Sequence, residues 1–410
     1  MIESYRAVLR HGDVRRVLLL GTIVRVPLWA ANVILTLHVV TTLDRSYAAA
    51  GLLAAVATVA LSVSAPWRGR RLDRDGLRAA VAPSLVVLAG CWSVAPFVGY
   101  WPLLVLAAVA GLFEVPSFSI VRQVLLRAVP EGQRTTALSI DSVAVEVSFM
   151  IGPALGVVLA TYLPTSWALF ACQFASVAGG VAIWLADPPL RGTPAPAAPA
   201  DPAPAAPTGH RPPAVRDWLD LRVGALLVMS AAATMVLTGT DVGVVAALRD
   251  MDHQTWIGWE LAVWGAGSAV GGLVYGALRR TIPVAALLAL LAATALPVAL
   301  GGEPLLLAAL LFVTGFWCAP TVTASVDELT RFVPERVRGE ALGWHGSALT
   351  LGSGVGAPLA GIAIDHVGWR GGFVLPALLG LLAAAFGWAA SRRGVERTAT
   401  TTARRPLVET

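Results

Sequence analysis

One stretch of this chain occurs twice. Residues 111–138 read GLFEVPSFSIVRQVLLRAVPEGQRTTAL, and residues 315–342 read GFWCAPTVTASVDELTRFVPERVRGEAL. The two copies align without a gap, and the identical positions include Gly111, Pro116, Pro130 and Arg134. Because the offset is half the length of the 410-residue chain, the repeat predicts an internal duplication of the whole protein.

The composition around both copies is that of a membrane protein. Hydrophobic residues make up 56% of the chain and charged residues 13%, and the mean hydropathy is +0.72. Because a transmembrane helix needs about 20 apolar residues, the apolar segments predict an all-α membrane protein with twelve transmembrane helices in two six-helix pseudo-repeats. A soluble enzyme, a disulfide-rich secreted domain and a disordered chain are excluded, since none could keep so much apolar surface from water.

Polar and proline-rich segments divide the chain into four parts. We predict an N-terminal six-helix bundle at 1–190, a Pro/Ala-rich cytoplasmic linker at 191–215, a C-terminal six-helix bundle at 216–395 and a disordered cytoplasmic tail at 396–410. The 30 basic residues are all arginines, concentrated before the first apolar segment, in every second connection and in the tail. The positive-inside rule therefore predicts that both termini are cytoplasmic, in a multi-pass protein of the inner (plasma) membrane.

The connection after the second apolar segment reads GRRLDRDGLR at residues 69–78. Gly69 and Gly76 permit turns, Asp73 can accept hydrogen bonds or face a helix N-terminus, and Arg74 and Arg78 hold the loop on the cytoplasmic side. This order strongly resembles the loop 2–3 signature of the major facilitator superfamily, and the resemblance covers essentially the whole chain.

That resemblance implies the major facilitator fold and transport by alternating access. It implies that Asp73 faces the start of the eleventh segment, near Arg338 and Gly339, and latches the two halves together. The second-half counterpart, YGALRR at 275–280, keeps Gly276 but lacks the aspartate. We therefore expect its latch to be weaker or differently paired.

The fifth segment contains GPALG, with Gly152, Pro153 and Gly156. This motif resembles motif C of drug/proton antiporters, which implies efflux. The alternative is close helix packing with no bearing on direction, because small residues are common between membrane helices. The stretches RVP at 25–27, RSYAAAGL at 45–52 and LSIDSVAVEVSFMIGP at 138–153 also resemble actinobacterial arabinose-efflux-like permeases.

Three charged residues fall near the predicted midplane of the membrane: Arg25, Glu114 and Glu146. Charge at that depth is costly and needs partners, so we expect the three side chains to meet, with one carboxylate to spare as a proton carrier. The alternative is a permanent salt bridge. Asp241 and Glu260 are expected to be water-exposed or gate-forming.

Further polar side chains on the predicted helices suit an amphipathic organic solute. The alternative interpretation is ordinary interhelical packing. Asp141 and its repeat mate His345 are expected to pair with loop arginines. The predicted cavity residues are Asn32, Thr36, Thr234, Thr238, Thr314, Trp317 and Thr321.

Together these features predict a secondary active transporter for proton-coupled efflux of a small organic compound, working as a monomer. A proton symporter or facilitator importing a sugar or similar metabolite is the alternative, and a non-transporting membrane sensor is a second class. No spacing indicates a metal site, a cofactor, a nucleic-acid partner, an enzyme or an ATP-binding loop.

Overall fold

The computed structural model describes residues 2–188, 215–278 and 281–403, and its regular structure within these ranges is helical. The helices are α1 Ile2–Arg10, α2 Gly12–Leu37, α3 Tyr47–Val94, α4 Tyr100–Leu112, α5 Ser117–Ala128, α6 Arg134–Tyr162, α7 Thr165–Ala186, α8 Val215–Trp218, α9 Leu221–Asp250, α10 Ile257–Ala277, α11 Val284–Ala295, α12 Pro304–Gly315, α13 Cys318–Phe332, α14 Arg338–Val367 and α15 Gly371–Ala403.

Length and composition account for how these helices fit a membrane. In the described ranges, ten helical segments are long and apolar enough to cross a bilayer. One of them, Ala49–Phe97, has 49 residues and contains Gly76 with φ 81°, so a break there leaves room for two crossings. A shorter apolar segment is Val284–Leu300. The arrangement accommodates twelve spans, and that count stays a prediction.

The duplicated stretch is interrupted at corresponding places in both halves. α4 ends at Leu112 and α5 starts at Ser117, while α12 ends at Gly315 and α13 starts at Cys318. Pro116 precedes the first residue of α5, and its repeat mate Pro320 lies in the first turn of α13. Proline is tolerated there because the first N–H groups of a helix have no partner within the helix. The repeat thus produces two broken helices.

Glycines bring neighbouring helices close together. A Cβ added at Gly152 would clash with Trp29, and one at Gly156 would clash with Ala30, so both glycines let α6 approach α2. In the second half, Gly352 and Gly356 make the same kind of approach from α14 to α9. The GPALG motif therefore lies at a packed helix interface, as the alternative interpretation of this motif expects.

The two halves meet through α3 with α14 and α6 with α10. We call the end of the bundle that carries the connections 68–78, 127–134 and 331–338 the arginine-rich end, and the opposite end the arginine-poor end. At the arginine-rich end Leu126 and Leu138 of the first half join the apolar core of the second half. Ser347 donates a hydrogen bond to the Ser62 carbonyl oxygen across the same interface (2.5 Å). The halves are therefore closed at this end.

Most of the predicted linker and part of the predicted tail lie outside the described residues. Residues 189–214, which include nearly all of the predicted linker, lie outside the described residues. α15 continues to Ala403 and so includes residues 396–403 of the predicted tail, whose disorder stays a prediction. Extending an existing helix costs far less than starting one, so the helical hydrogen bonding carries on past the apolar span. Residues 404–410 are not described.

Candidate functional site

The loop predicted at 69–78 is helical, as part of α3, except for the break at Gly76, and Gly69 makes no turn. This segment, which keeps the name loop below, joins the halves at the start of α14. The Asp73 carboxylate accepts hydrogen bonds from the backbone N–H groups of Gly339 and Glu340, both at 2.8 Å. These donors belong to the first turn of α14, where N–H groups have no partner within the helix and favour an anion. Arg70 adds an ion pair with Glu340 (2.5 Å). The predicted position of Asp73 is confirmed.

The remaining loop residues hold the backbone in shape. A Cβ on Gly69 would clash with the Gly339 backbone, so glycine allows α3 and α14 to touch. Gly76 has the positive φ that divides α3. Arg78 pairs with Asp187 at 3.0 Å, at the end of α7, and Arg74 is exposed. The loop is therefore anchored to its own half as well as to the other.

The second-half counterpart of this loop is differently paired. Thr136 of the first half donates a hydrogen bond to the Gly276 carbonyl oxygen, and Tyr5 of α1 donates one to the Leu273 carbonyl oxygen (2.5 Å). Gly276 lies in the last turn of α10, where carbonyl groups have no partner within the helix, and Leu273 lies in the turn before it. Burial raises the pKa of Tyr5 to about 12, so its hydroxyl stays protonated and can donate. Hydroxyl donors here replace the carboxylate acceptor of the first loop.

Arg25 does not meet Glu114 and Glu146, which corrects the prediction from sequence. It is 0% exposed, and its Nη1 pairs with the Oδ1 atom of Asp141 at 2.7 Å. Arg122 shares the same carboxylate, with its Nε atom 3.4 Å from Oδ2. Asp141 therefore pairs with two arginines inside apolar segments, and not with loop arginines as expected.

The same group reaches the second half through His345. This histidine is 0% exposed, lies within electrostatic range of Arg122, and shares a 2.8 Å hydrogen bond with Ser325. Asp141 and His345 occupy equivalent positions of the duplication, and both lie within electrostatic range of Arg122. We call Arg25, Arg122, Asp141, Ser325 and His345 the axial cluster.

Glu114 has a different partner. It lies in the break between α4 and α5, within electrostatic range of Arg68 on α3, which is 4% exposed. Its repeat mate is Cys318, the first residue of α13. Glu114 is thus part of a charge pair inside the first half.

Glu146 faces the second half. Ser268 of α10 donates a hydrogen bond to its Oε1 atom at 2.8 Å, and the Cys318 Sγ atom lies 3.6 Å from the same oxygen. The carboxyl of Asp241 on α9 is within electrostatic range of Glu146. Asp241 is partly buried beside Glu146 and is not simply water-exposed. We call Glu146 and Asp241 the inter-half acidic pair.

Glu260 also departs from expectation. The sequence predicts a water-exposed or gate-forming residue, but its side chain is 0% exposed. It lies in the first turn of α10, on the face that also carries Trp264 and Gly267. Gly267 packs against the backbone of Phe312 on α12, so this face points into the second-half bundle.

The seven predicted cavity residues differ in how accessible their side chains are. Asn32 is exposed, and Thr36 and Thr238 are partly exposed on the bundle helices. Thr314 is 0% exposed and donates to the Thr294 carbonyl oxygen of α11, so it packs within the second half and does not line a cavity.

The other three members have neighbours that reduce their access. Thr234 donates to the Leu349 carbonyl oxygen of α14 at 2.7 Å. Thr321 is buried and donates to the Trp317 carbonyl oxygen. Trp317 itself is partly exposed in the break before α13 and packs edge-on against Phe316. Of the three, Trp317 has the most open position.

Sequence reasoning missed Asp141, Arg122 and His345 as a group. The available signal was the duplication itself, which places Asp141 and His345 at one repeat position. Residues at equivalent positions of two pseudo-symmetric halves approach each other where they face the axis between the halves. Arg122 is a charged residue within an apolar segment, and such residues are functional candidates by default.

Comparisons with known proteins agree with this architecture. The sequence model described as Major Facilitator Superfamily matches residues 17–278 and 244–409. The human organic anion transporter MFSD10 (TETRAN) has a similar structure, with a TM-score of 0.67 and 16% identity, over 91% of this chain and 99% of that one. A bacterial homologue of the iron transporter ferroportin, in an outward-facing state, gives a TM-score of 0.74 and 13% identity, over 93% and 99%. The comparison with curated proteins found no match.

Proposed function

The chain belongs to the major facilitator superfamily, and from that premise we propose that it exports a small organic compound from the cytoplasm in exchange for protons. The inter-half acidic pair carries this proposal. Glu146 belongs to α6 of the first half and Asp241 to α9 of the second, and the two carboxyl groups lie within electrostatic range in a partly buried interface.

Two carboxyl groups in such a position suit proton coupling. Both cannot carry a negative charge cheaply at short range in a low dielectric, so one tends to hold a proton. The neighbours that the structure gives Glu146 are a hydroxyl and a thiol, which leave its charge uncompensated. Separation of the halves changes the distance between the two groups and their access to water. Proton binding and release can therefore follow the transport cycle.

The direction of transport follows from topology and from a motif. The arginine-rich end is taken as cytoplasmic by the positive-inside rule, so the structure represents the state closed toward the cytoplasm. The GPALG motif resembles that of proton-driven exporters, and it packs α6 on α2, the helix that carries Arg25. The human structural neighbour is named as an organic anion transporter, which is in keeping with an organic cargo. We place the protein in the plasma membrane as a monomer.

The test is transport by purified protein in proteoliposomes under an imposed pH gradient of either sign, with a panel of small aromatic acids, amides and amines. If export is coupled to proton entry, the cargo should accumulate under only one of the two signs of the imposed pH gradient. Glu146→Gln and Asp241→Asn should abolish accumulation but retain exchange of labelled for unlabelled cargo, because the neutral forms are fixed. Glu260→Gln is the matched control, since that buried carboxyl lies away from the pair, and it should keep coupling.

Gradient-driven accumulation that survives the double variant Glu146→Gln/Asp241→Asn would rule out the pair as the proton site. Accumulation with the opposite sign of the gradient would identify a symporter instead.

A further inference from the structure

We propose that the axial cluster binds the carboxylate of an anionic cargo, and that Arg25 is the residue that recognises it. This inference names a substrate class for the proposed transport function and rests on that function. The observation behind it is the state of the Arg25 guanidinium, which is fully buried but only partly engaged.

Arg25 presents two parallel donors that no described residue satisfies. Its Nη1 atom is committed to Asp141, whereas Nε and Nη2 have no hydrogen-bond partner among the described residues. Nε–H and the adjacent Nη2–H point the same way along one edge of the planar guanidinium group. That edge is the fork that binds a carboxylate through two parallel hydrogen bonds.

The charge around Arg25 is also unbalanced. Two guanidinium groups, from Arg25 and Arg122, share the single carboxylate of Asp141. Arg68 differs, because Glu114 lies within electrostatic range of it. Buried charge is costly unless paired, so the axial cluster has room for one more negative charge and the Arg68 site does not.

The neighbouring aromatic rings indicate what the anion is attached to. The Phe118 ring lies 4.4 Å from the Arg25 Cζ atom and 5.9 Å from that of Arg122. One helical turn farther along α2, Trp29 packs edge-on against Phe149 of α6 with ring centroids 5.0 Å apart. A carboxylate with an attached apolar or aromatic group matches a cationic fork next to rings, and a free inorganic anion would leave the rings unused.

The position of the cluster suits loading from the arginine-rich end. Arg122 and His345 lie in opposite halves within electrostatic range of each other, and the hydrogen bond between Ser142 and Thr323 (2.8 Å) also bridges the halves. Alternating access requires the halves to part at this end. That movement would uncover the Arg122 side of the cluster to the compartment from which an exporter takes its cargo.

Equilibrium binding of benzoate to the purified full-length protein tests the proposal without a proton gradient. We expect saturable binding of radiolabelled benzoate, competed by phenylphosphonate and not by the neutral analogue benzamide. Arg25→Gln should weaken binding at least tenfold, because it removes two charge-assisted hydrogen bonds. Arg25→Lys should also weaken it, since lysine keeps the charge but lacks the fork. Arg68→Gln, a change at a buried arginine beside a carboxylate, is the control and should stay within about twofold.

Three results would overturn the proposal: no saturable benzoate binding to the wild-type protein, equal competition by benzamide, or wild-type affinity in Arg25→Gln. If Arg25→Gln does not fold, judged by size-exclusion profile and circular dichroism, Arg25→Lys carries the same decision. Because binding is measured at equilibrium, failure here is separate from failure of proton coupling. Loss of coupling in the acidic-pair variants with intact benzoate binding would leave the Arg25 assignment standing.

Discussion

Replacing Asp73 with asparagine should open the arginine-rich end. In the wild-type structure the Asp73 carboxylate accepts from two backbone N–H groups at the start of α14, each at 2.8 Å. Hydrogen bonds to a charged group contribute about 1.5–3 kcal/mol each, and a negative charge at a helix N-terminus adds about 0.3–1 kcal/mol. Asparagine keeps one acceptor oxygen and loses the charge.

The expected loss is therefore about one charged hydrogen bond plus the helix-dipole contribution, or ~2–4 kcal/mol of the free energy that favours the closed arginine-rich end. At 1.4 kcal/mol per factor of ten, the ratio of closed to open molecules should fall roughly 30- to 700-fold. Folding should survive, because Asp73 lies at the interface between the halves, near the break in α3, and is not part of either apolar core. Transport should fall, since closure of this end is a step of the cycle.

Pulsed electron paramagnetic resonance would measure the distance between spin labels attached at Glu131→Cys and Arg336→Cys, and so the fractions of closed and open molecules. Both positions are exposed at the arginine-rich end in opposite halves, and the native cysteines are buried. Asp75→Asn is the matched control, because Asp75 is exposed two residues from Asp73 and, among the described residues, forms an ion pair with Arg71 that is at the surface and of small value. A distance distribution in Asp73→Asn identical to that of wild type would refute the latch, and the loop would then be a topology signal alone.

Three further predictions follow from the described contacts. Tyr5→Phe should lower the same ratio of closed to open molecules about two- to tenfold, because it removes one neutral hydrogen bond of ~0.5–1.5 kcal/mol. In the wild type that contribution should be constant below pH 10 and disappear as the pH rises toward 12, because burial raises the pKa of Tyr5 from 10.0 to about 12. Gly271→Ala should lower the melting temperature, since its Cβ would clash with the Phe316 carbonyl at a cost of ~1–3 kcal/mol. Gly354→Ala is the control and should leave the melting temperature unchanged, because the space around it is open. Equal melting temperatures for the two variants would contradict the packing argument. An impermeant maleimide applied to intact cells should label a cysteine at Glu303 and not one at Asp75, and the reverse pattern would invert the topology.

The fold follows from the sequence because its signals are strong and repeated. Long apolar segments have few alternatives to membrane helices, and every second connection is rich in arginine. The duplication then makes the halves equivalent, and the structure breaks the same helix in each, near Pro116 and Pro320. The position of Asp73 at the start of α14 was predictable for a different reason, since the resemblance of its loop to the major facilitator signature implies that placement.

The partners of the buried charges could not be predicted in this way. Depth in the membrane, counted along each helix, places Arg25 near Glu146, but it does not show in which direction each side chain points around its helix axis. Asp141 and Glu146 are five residues apart on α6, so they point about 140° apart around the helix at 3.6 residues per turn. One of them faces α2 and the other faces α10. Which face meets which neighbour depends on how the helices pack, and small residues such as Gly152 set that packing.

The divergence of the repeat mates explains why the two charged sites differ. Glu114 corresponds to Cys318 and Asp141 to His345, so the duplicated backbone carries acidic groups in the first half where the second has a thiol and an imidazole. The first half thereby retains the arginine-carboxylate chemistry proposed for the cargo, whereas the second half places the Cys318 thiol beside Glu146 and the Ser325 hydroxyl beside His345.

α6 connects the two sites, because one rigid helix carries Asp141 in the axial cluster and Glu146 in the acidic pair. Cargo binding and proton binding then act on the same helix and bias the same movement of the halves. Coupling between two sites is reciprocal at equilibrium. Under the proposed roles, protonation of the acidic pair changes the affinity for cargo by some factor, and bound cargo changes the affinity of the pair for protons by the same factor. A proton-driven exporter needs this factor to be less than one, so that each ligand weakens binding of the other.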